Sequence, residues 1–296
     1  MKIKNQAISL YELGKRTNQE DSIFPPGTGI IKTGDLYILC DGMGGHDKGE
    51  VASDCVCKSM CKYIDEHPSG MFGIEQFNAA LSAAYDALDT LDSQEEEKKM
   101  GTTMTFLKFH EGGAFIAHIG DSRIYHIRPS EKKILYVTKD HSLINELIDL
   151  GELTPEQAKQ SSQKNIITRA MQPHQAKRSG ADCYNISDVH VGDYFFLCSD
   201  GVIESMDDEQ LCNIISLEGK TDKEKMEIIK NVTKENNDNH SAHLIHITDV
   251  DGMFLASDVS PKKENNSGKR LRIVALLLVF AIIAAFVIAW FVLKIF

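Results

Sequence analysis

The chain has 296 residues, 42% of them hydrophobic, which is an ordinary composition with room for one large globular domain. The formal net charge is −11, yet residues 261–296 carry six Lys/Arg against one Glu, so the remainder stands at −16, a balance that argues against a nucleic-acid-binding surface. Seven cysteines, an odd number behind a polar start with no apolar leader, point to reduced thiols rather than a disulfide framework.

Along the chain, residues 7–13 and 36–40 have the apolar, β-branched and aromatic content of strands. Residues 50–66 and 74–91 show helical apolar spacing and follow one another directly, which suggests an antiparallel helix pair rather than βαβ units. Cys55, Cys57 and Cys61 lie on the first of these helices; no second ligand pair follows them, so packing explains them better than zinc. Residues 103–109 and 114–119, joined by Glu111-Gly112-Gly113, form a hairpin, and 124–127 and 134–138 continue the meander. Residues 142–178 turn polar and helical, with Leu143, Ile144, Leu147 and Leu150 on one face and a Thr154-Pro155 helix start, and read as a flap inserted between strands. A strand over 194–199, helices over 208–217 and 222–236, and a strand over 242–248 complete an α+β domain.

Residues 257–272 read as a polar, basic linker, and Ile273–Leu293 as 21 consecutive residues without a charge. As a helix such a segment spans a bilayer core of about 30 Å. A buried core helix that is apolar on every face would need a far larger protein around it. Lys262, Lys263, Lys269, Arg270 and Arg272 precede the span and Lys294 alone follows it, so the expected topology is single-pass with the large domain on the cytoplasmic side.

Two apolar runs end alike, Leu36-Tyr37-Ile38-Leu39-Cys40 into Asp41-Gly42 and Tyr194-Phe195-Phe196-Leu197-Cys198-Ser199 into Asp200-Gly201. Alone, an Asp-Gly pair after a strand is an ordinary turn. Here acidic residues recur wherever strands begin or end: Glu20 and Asp21 precede the first run, and Asn237-Asp238-Asn239 precedes the last. Carboxylates packed together repel and shift one another's pKa values unless cations neutralise them, and an oxygen-only donor set favours a hard ion, Mg2+ or Mn2+.

Seven motifs occur in one order: Arg16-Thr17-Asn18-Gln19-Glu20-Asp21, Asp41-Gly42-Met43-Gly44-Gly45-His46, Gly101-Thr102-Thr103, Gly120-Asp121-Ser122-Arg123, Asp140-His141-Ser142, Ser199-Asp200-Gly201 and Asp238-Asn239. By these, residues 1–256 resemble the metal-dependent serine/threonine protein phosphatases, the PPM or type 2C family, in its bacterial-style branch. The resemblance implies two packed antiparallel β-sheets flanked by antiparallel helix pairs, an α-β-β-α sandwich, to which the sequence adds one transmembrane helix. It implies two Mn2+ or Mg2+ ions, with Asp41 bridging them, the Gly42 carbonyl on one, and Asp200 and Asp238 on the other. Asp41, Asp200 and Asp238 would thereby be the catalytic carboxylates. Glu20 and Asp21 would lie in or just behind the coordination shell, and Arg16 would grip the substrate phosphate with its planar fork.

Asp121 and Glu204 match positions where the family can hold a third ion, although Glu204 stands where Asp is frequent. The implied reaction is attack of a metal-bridging hydroxide on phosphoserine or phosphothreonine of cytoplasmic proteins, with no protein nucleophile. Some relatives place a histidine directly after the first Asp-Gly; this chain has Met43, so the proton for the leaving group is expected from metal-held water rather than from His46. His46 and His141 read as structural imidazoles near glycine turns. Expected partners are phosphorylated Ser/Thr proteins, among them membrane kinases and their targets by proximity, together with the lipid bilayer and no nucleic acid. The competing readings are a catalytically silent phosphoprotein-binding membrane scaffold and a phosphatase dedicated to one regulatory partner.

Overall fold

The structure is a computed structural model, and it describes residues 2–44, 48–92, 100–159, 161, 163 and 166–251. His46, the end of the expected domain at 252–256, the linker and the apolar span at 273–293 lie outside the described residues. Among the described residues no helix is long and apolar enough to cross a membrane.

In chain order the elements are β1 (Lys2–Glu12), β2 (Asp21–Phe24), β3 (Leu36–Met43), α1 (Lys48–Glu66), α2 (Ile74–Leu91), β4 (Gly101–Thr102), β5 (Met104–His110), β6 (Gly113–Ile119), β7 (Arg123–Arg128) and β8 (Lys133–Val137). They continue with α3 (Leu143–Asp149), α4 (Pro155–Lys159), β9 (Asp182–Ile186), β10 (Tyr194–Cys198), α5 (Asp200–Ile203), α6 (Asp208–Ile215), α7 (Asp222–Thr233) and β11 (His240–Asp251). One sheet runs β1-β11-β10-β7-β8; the other runs β2-β3-β5-β6-β9, with β4 paired to β3. All pairings are antiparallel.

Side chains alternate across a strand, so a strand covered on both faces is apolar throughout. On β3, Leu36, Ile38 and Cys40 pack with Val56, Met60, Phe77 and Leu88 of α1 and α2, whereas Tyr37 points the other way, into a cluster with Phe109, Phe195, Leu197 and Ile245 between the sheets. On β10, Tyr194, Phe196 and Cys198 meet Leu211, Ile215, Met226 and Ile229 of α6 and α7. Three apolar layers therefore separate helices, sheet, sheet and helices, which is the expected sandwich. The helix starts are chemically specified: Asp207 and Thr221 each accept a hydrogen bond from the third residue of α6 and α7, and Gln210 and Glu224 reach back to complete capping boxes.

The structure departs from the sequence expectations at the sheet edges. β1 begins at Lys2 rather than residue 7, because backbone pairing with β11 and a 2.6 Å Lys4–Asp249 ion pair carry it through polar residues. β2 and β9 are short edge strands, and α5 is a single turn; none of the three has enough apolar residues to show a period. The insertion over residues 142–178 contains α3 and α4 between β8 and β9; the bridge Ser142↔Ile167 closes it on itself, and Thr102↔Met171 ties it to the body. Arg178 closes it onto α2 by ion pairs with Asp86 and Asp89 at 2.6 and 2.8 Å.

Candidate metal centre

Both Asp-Gly runs deliver their carboxylates to one end of the sandwich. Asp41 sits near the end of β3 opposite Asp21 of β2, and Asp200 opens α5 directly after β10. The Asp41 backbone is clamped by Gly101-Thr102-Thr103: Thr103 N–H and Thr102 Oγ1 donate to the Asp41 carbonyl at 2.8 and 2.9 Å, and Asp41 N–H donates to Thr103 Oγ1 at 3.0 Å. Gly42 allows the chain to pass under α1, since a Cβ there would fall 2.1 Å from the Gly49 carbonyl oxygen and 2.6 Å from that of Glu20. The Glu20 carboxyl group lies beside Gly49 in the first turn of α1, and the Glu20 N–H donates to Asn239 Oδ1 at 2.8 Å.

The electrostatics are those of crowded carboxylates. Asp41 and Asp200 are close enough for each to shift the other's pKa. Burial, then the charges of Asp21, Asp200 and Asp121, push Asp41 well above the usual carboxylate range. Asp200 is raised by burial and by Asp238. Asp21, 1% exposed, is pushed up to about 7, chiefly by burial, although its Oδ2 accepts from Ser199 Oγ at 3.0 Å. Asp121 is likewise raised to about 7 by burial and by Asp200. Asp21 Oδ1 and Asp121 Oδ1 are buried and have no hydrogen-bond partner among the described residues. Buried carboxylate oxygens of this kind carry a large desolvation penalty that a cation would offset.

A cleft of about 500 Å3 opens over this cluster, lined by Arg16, Asp121, Arg123, Asp140, Asp200 and Asp238 among others. Arg16 Nη2 is ion-paired with Asp238 Oδ2 at 2.6 Å, and Asp238 Oδ1 accepts from the Asn239 N–H at 2.8 Å. Among the described residues no three or more His, Cys, Asp or Glu side chains stand close enough to enclose an ion by themselves. The carboxylates line an open cleft, with Asp238 turned to Arg16, rather than a closed cage. The donor set is nevertheless entirely oxygen, Arg16 offsets only the charge of Asp238, and two of its buried atoms lack partners, so these residues fit a hard divalent cation.

Glu204 is placed differently from the third-ion expectation: it lines the cleft, but both of its oxygens are engaged by Asn237. Its arm, one carbon longer than aspartate, folds onto the neighbouring loop. His141 has the structural role read from its motif, accepting from the Gly120 N–H at 3.0 Å and donating its own N–H to the Gly120 carbonyl at 2.9 Å, which fixes the turn before Asp121. The roles of Arg123, Asp140 and Asn239 were not assigned from sequence. Arg123 makes a two-pronged pair with Asp140, Nε to Oδ1 and Nη2 to Oδ2, both at 2.7 Å. Asn239 Nδ2 donates to the carbonyls of Leu13 and Asn18 at 2.8 and 3.0 Å, joining the Arg16 loop to the Asp238 loop. The signal for these pairs was motif membership alone.

The family model described as Protein phosphatase 2C matches residues 13–244. The chain belongs to the protein phosphatase 2C family. It is 35% identical over 204 residues to Protein phosphatase PhpP of Streptococcus pneumoniae, covering 68% of this chain and 80% of that protein. It is 32% identical over 203 residues to Serine/threonine protein phosphatase PstP of Mycobacterium tuberculosis, where the match covers 68% of this chain but spans only 37% of the relative's length. Among solved structures it is similar to the catalytic domain of PstP in complex with two manganese ions, with a TM-score of 0.68 and 28% identity over 84% of this chain and all of that one. The phosphatase 2C fold thus accounts for the sandwich, and the cleft lies where its two sheets and α5 meet.

Proposed function

We propose that this chain is a metal-dependent phosphatase acting on phosphoserine and phosphothreonine in proteins. The observation that carries the reading is the carboxylate cluster of Asp41, Asp200, Asp21 and Asp121, close enough to shift one another's pKa values beside an open cleft that Arg16 also lines. Asp41, the Gly42 carbonyl, Asp200 and Asp238 would hold two Mn2+ or Mg2+ ions, as two manganese ions are bound in the PstP catalytic domain. Asp121 remains the best-placed carboxylate for a further ion, and Glu20 and Asp21 support the set from behind. The chemistry such ions supply when bound is activation of water and neutralisation of the phosphoryl oxygens.

The chain's own residues do the rest. The two threonines after Gly101 and the β2–β3 ladder hold Asp41 rigid. Arg16 already lies at the rim with its fork directed at a carboxylate, and a phosphate dianion is a better bidentate partner for it. Arg123 is held by Asp140, Tyr125 and Asp208, so it shapes the wall of the cleft.

The uncharged run 273–293, with its basic flank, supports anchoring of this domain to the cytoplasmic face of a membrane, where membrane kinases and their targets would be near substrates. The test of function uses the full chain with an aryl phosphate and with phosphopeptides. Turnover should require Mn2+ or Mg2+, stop with chelator, and favour phosphoserine or phosphothreonine over phosphotyrosine. Undiminished turnover in chelator would refute the reading.

A further inference from the structure

The carboxylates at the two ends of α5 do different work. Asp200 opens the turn and lines the cleft, whereas Glu204 caps its C-terminal end and reaches across to the loop before β11. Glu204 Oε2 accepts from the Asn237 backbone N–H at 2.9 Å, and Oε1 accepts from Asn237 Nδ2 at 2.6 Å. The same loop is fastened to this turn at further points. Asn236 Nδ2 donates to the Gly201 carbonyl, the Ser205 and Asn236 side chains are hydrogen-bonded, and the Asn239 carbonyl oxygen lies 2.0 Å from where a Cβ on Gly201 would stand. Residues 236–239, from which Asp238 lines the cleft, are therefore built onto α5.

We propose that Glu204 is a positioning residue: its carboxylate fixes the Asn237–Asp238 backbone relative to Asp200 and so sets the separation of the two carboxylates assigned to one ion, instead of binding an ion itself. The proposal rests on the metal-centre reading given under Proposed function. The two roles demand different things of the side chain. A ligand needs its charge; a backbone grip needs its reach. Glu204→Asp retains the charge on an arm about 1.5 Å shorter, too short to span to Asn237. Glu204→Gln retains the length and one acceptor for the Asn237 N–H. Asn237→Ala removes the side-chain donor and leaves the backbone one.

The test is calorimetric titration of Mn2+ alone into the full chain, with Asp238→Asn identifying the binding step that depends on Asp238. On this proposal Glu204→Asp weakens that step about fivefold to tenfold and Glu204→Gln by no more than about twofold, in line with the loss of charge-assisted hydrogen bonds. In the Asp238→Asn background, Glu204→Asp has no further effect on Mn2+ uptake. Asn237→Ala weakens the step severalfold, without adding to Glu204→Asp, and stands in for it should that variant not fold. The reverse ranking, with Asp equal to wild type and Gln impaired, would make Glu204 an ion ligand and overturn the proposal, as would equal effects with and without Asp238. A wild-type chain that takes up no Mn2+ would overturn the metal-centre reading itself, an outcome distinct from any ranking of the variants.

Discussion

Asp193, in the turn that leads into β10, offers a quantitative test of the scaffold that carries Asp200. Its carboxylate is 1% exposed and accepts four hydrogen bonds, from Arg128 Nε and Nη2 at 2.8 and 2.9 Å, from His126 Nε2 at 2.9 Å and from the His190 N–H at 2.9 Å. Burial alone would raise its pKa, but Arg128, then His126 and His190, outweigh burial and hold it at about 2 against an ordinary value of 3.8. A carboxyl group depressed in the folded state contributes stability that is complete above its unfolded pKa and is lost as pH falls through the folded one. That interval corresponds to about 2 kcal/mol. Asp193→Asn removes this pH-dependent part and also turns an amide donor towards Arg128, so at pH 7 it should be less stable than wild type by at least about 2 kcal/mol. The gap should narrow steadily between pH 4 and pH 2. Urea unfolding of both proteins in chelator, at several pH values from 7 downwards, measures it. A gap that stays constant down to pH 2 would show that the hydrogen-bonded charge is not what matters at this position.

Asp41→Asn should reduce Mn2+-dependent turnover at least about 100-fold, a larger loss than removal of an outer partner causes, while circular dichroism stays native. Arg16→Lys keeps the charge but not the fork, so KM for a phosphopeptide should rise about tenfold with a smaller change in kcat; a change in kcat alone would place Arg16 elsewhere in the reaction. Gly42→Ala forces a Cβ to within 2.1 Å of the Gly49 carbonyl oxygen, and thermal melts should show a loss of several kcal/mol. The full chain should sediment with membranes and resist salt extraction, whereas a chain ended at residue 256 should remain in the supernatant; equal partitioning would remove the anchor.

The central layers were legible because β3, β5 and β10 are buried on both faces and carry apolar runs, Leu36–Cys40, Phe106–Leu107 with Phe109, and Tyr194–Cys198. The edges were not: β2 and β9 are short and only partly buried, and the first residues of β1 owe their conformation to β11 rather than to their own composition. At the site, Asp41 and Asp200 were readable because each ends a strong strand. The partner of Glu204 was not, since whether a long side chain reaches an ion or a neighbouring loop depends on where the 236–239 segment crosses α5. The Arg123–Asp140 pair needs β7 to lie beside the turn after β8, and Asn239 carries no signal of its own beyond its place after Asp238.

The pairing of β1 with β11, from Lys2↔Asp251 to Glu12↔His240, has a bearing on how the molecule is made. β1 is synthesised well before β11, so its ladder can form only once the later strand has been made, and Asp238 arrives with that later segment. A chain stopped before residue 240 would leave the whole of β1 without its partner strand, and an unpaired strand edge of that length favours aggregation.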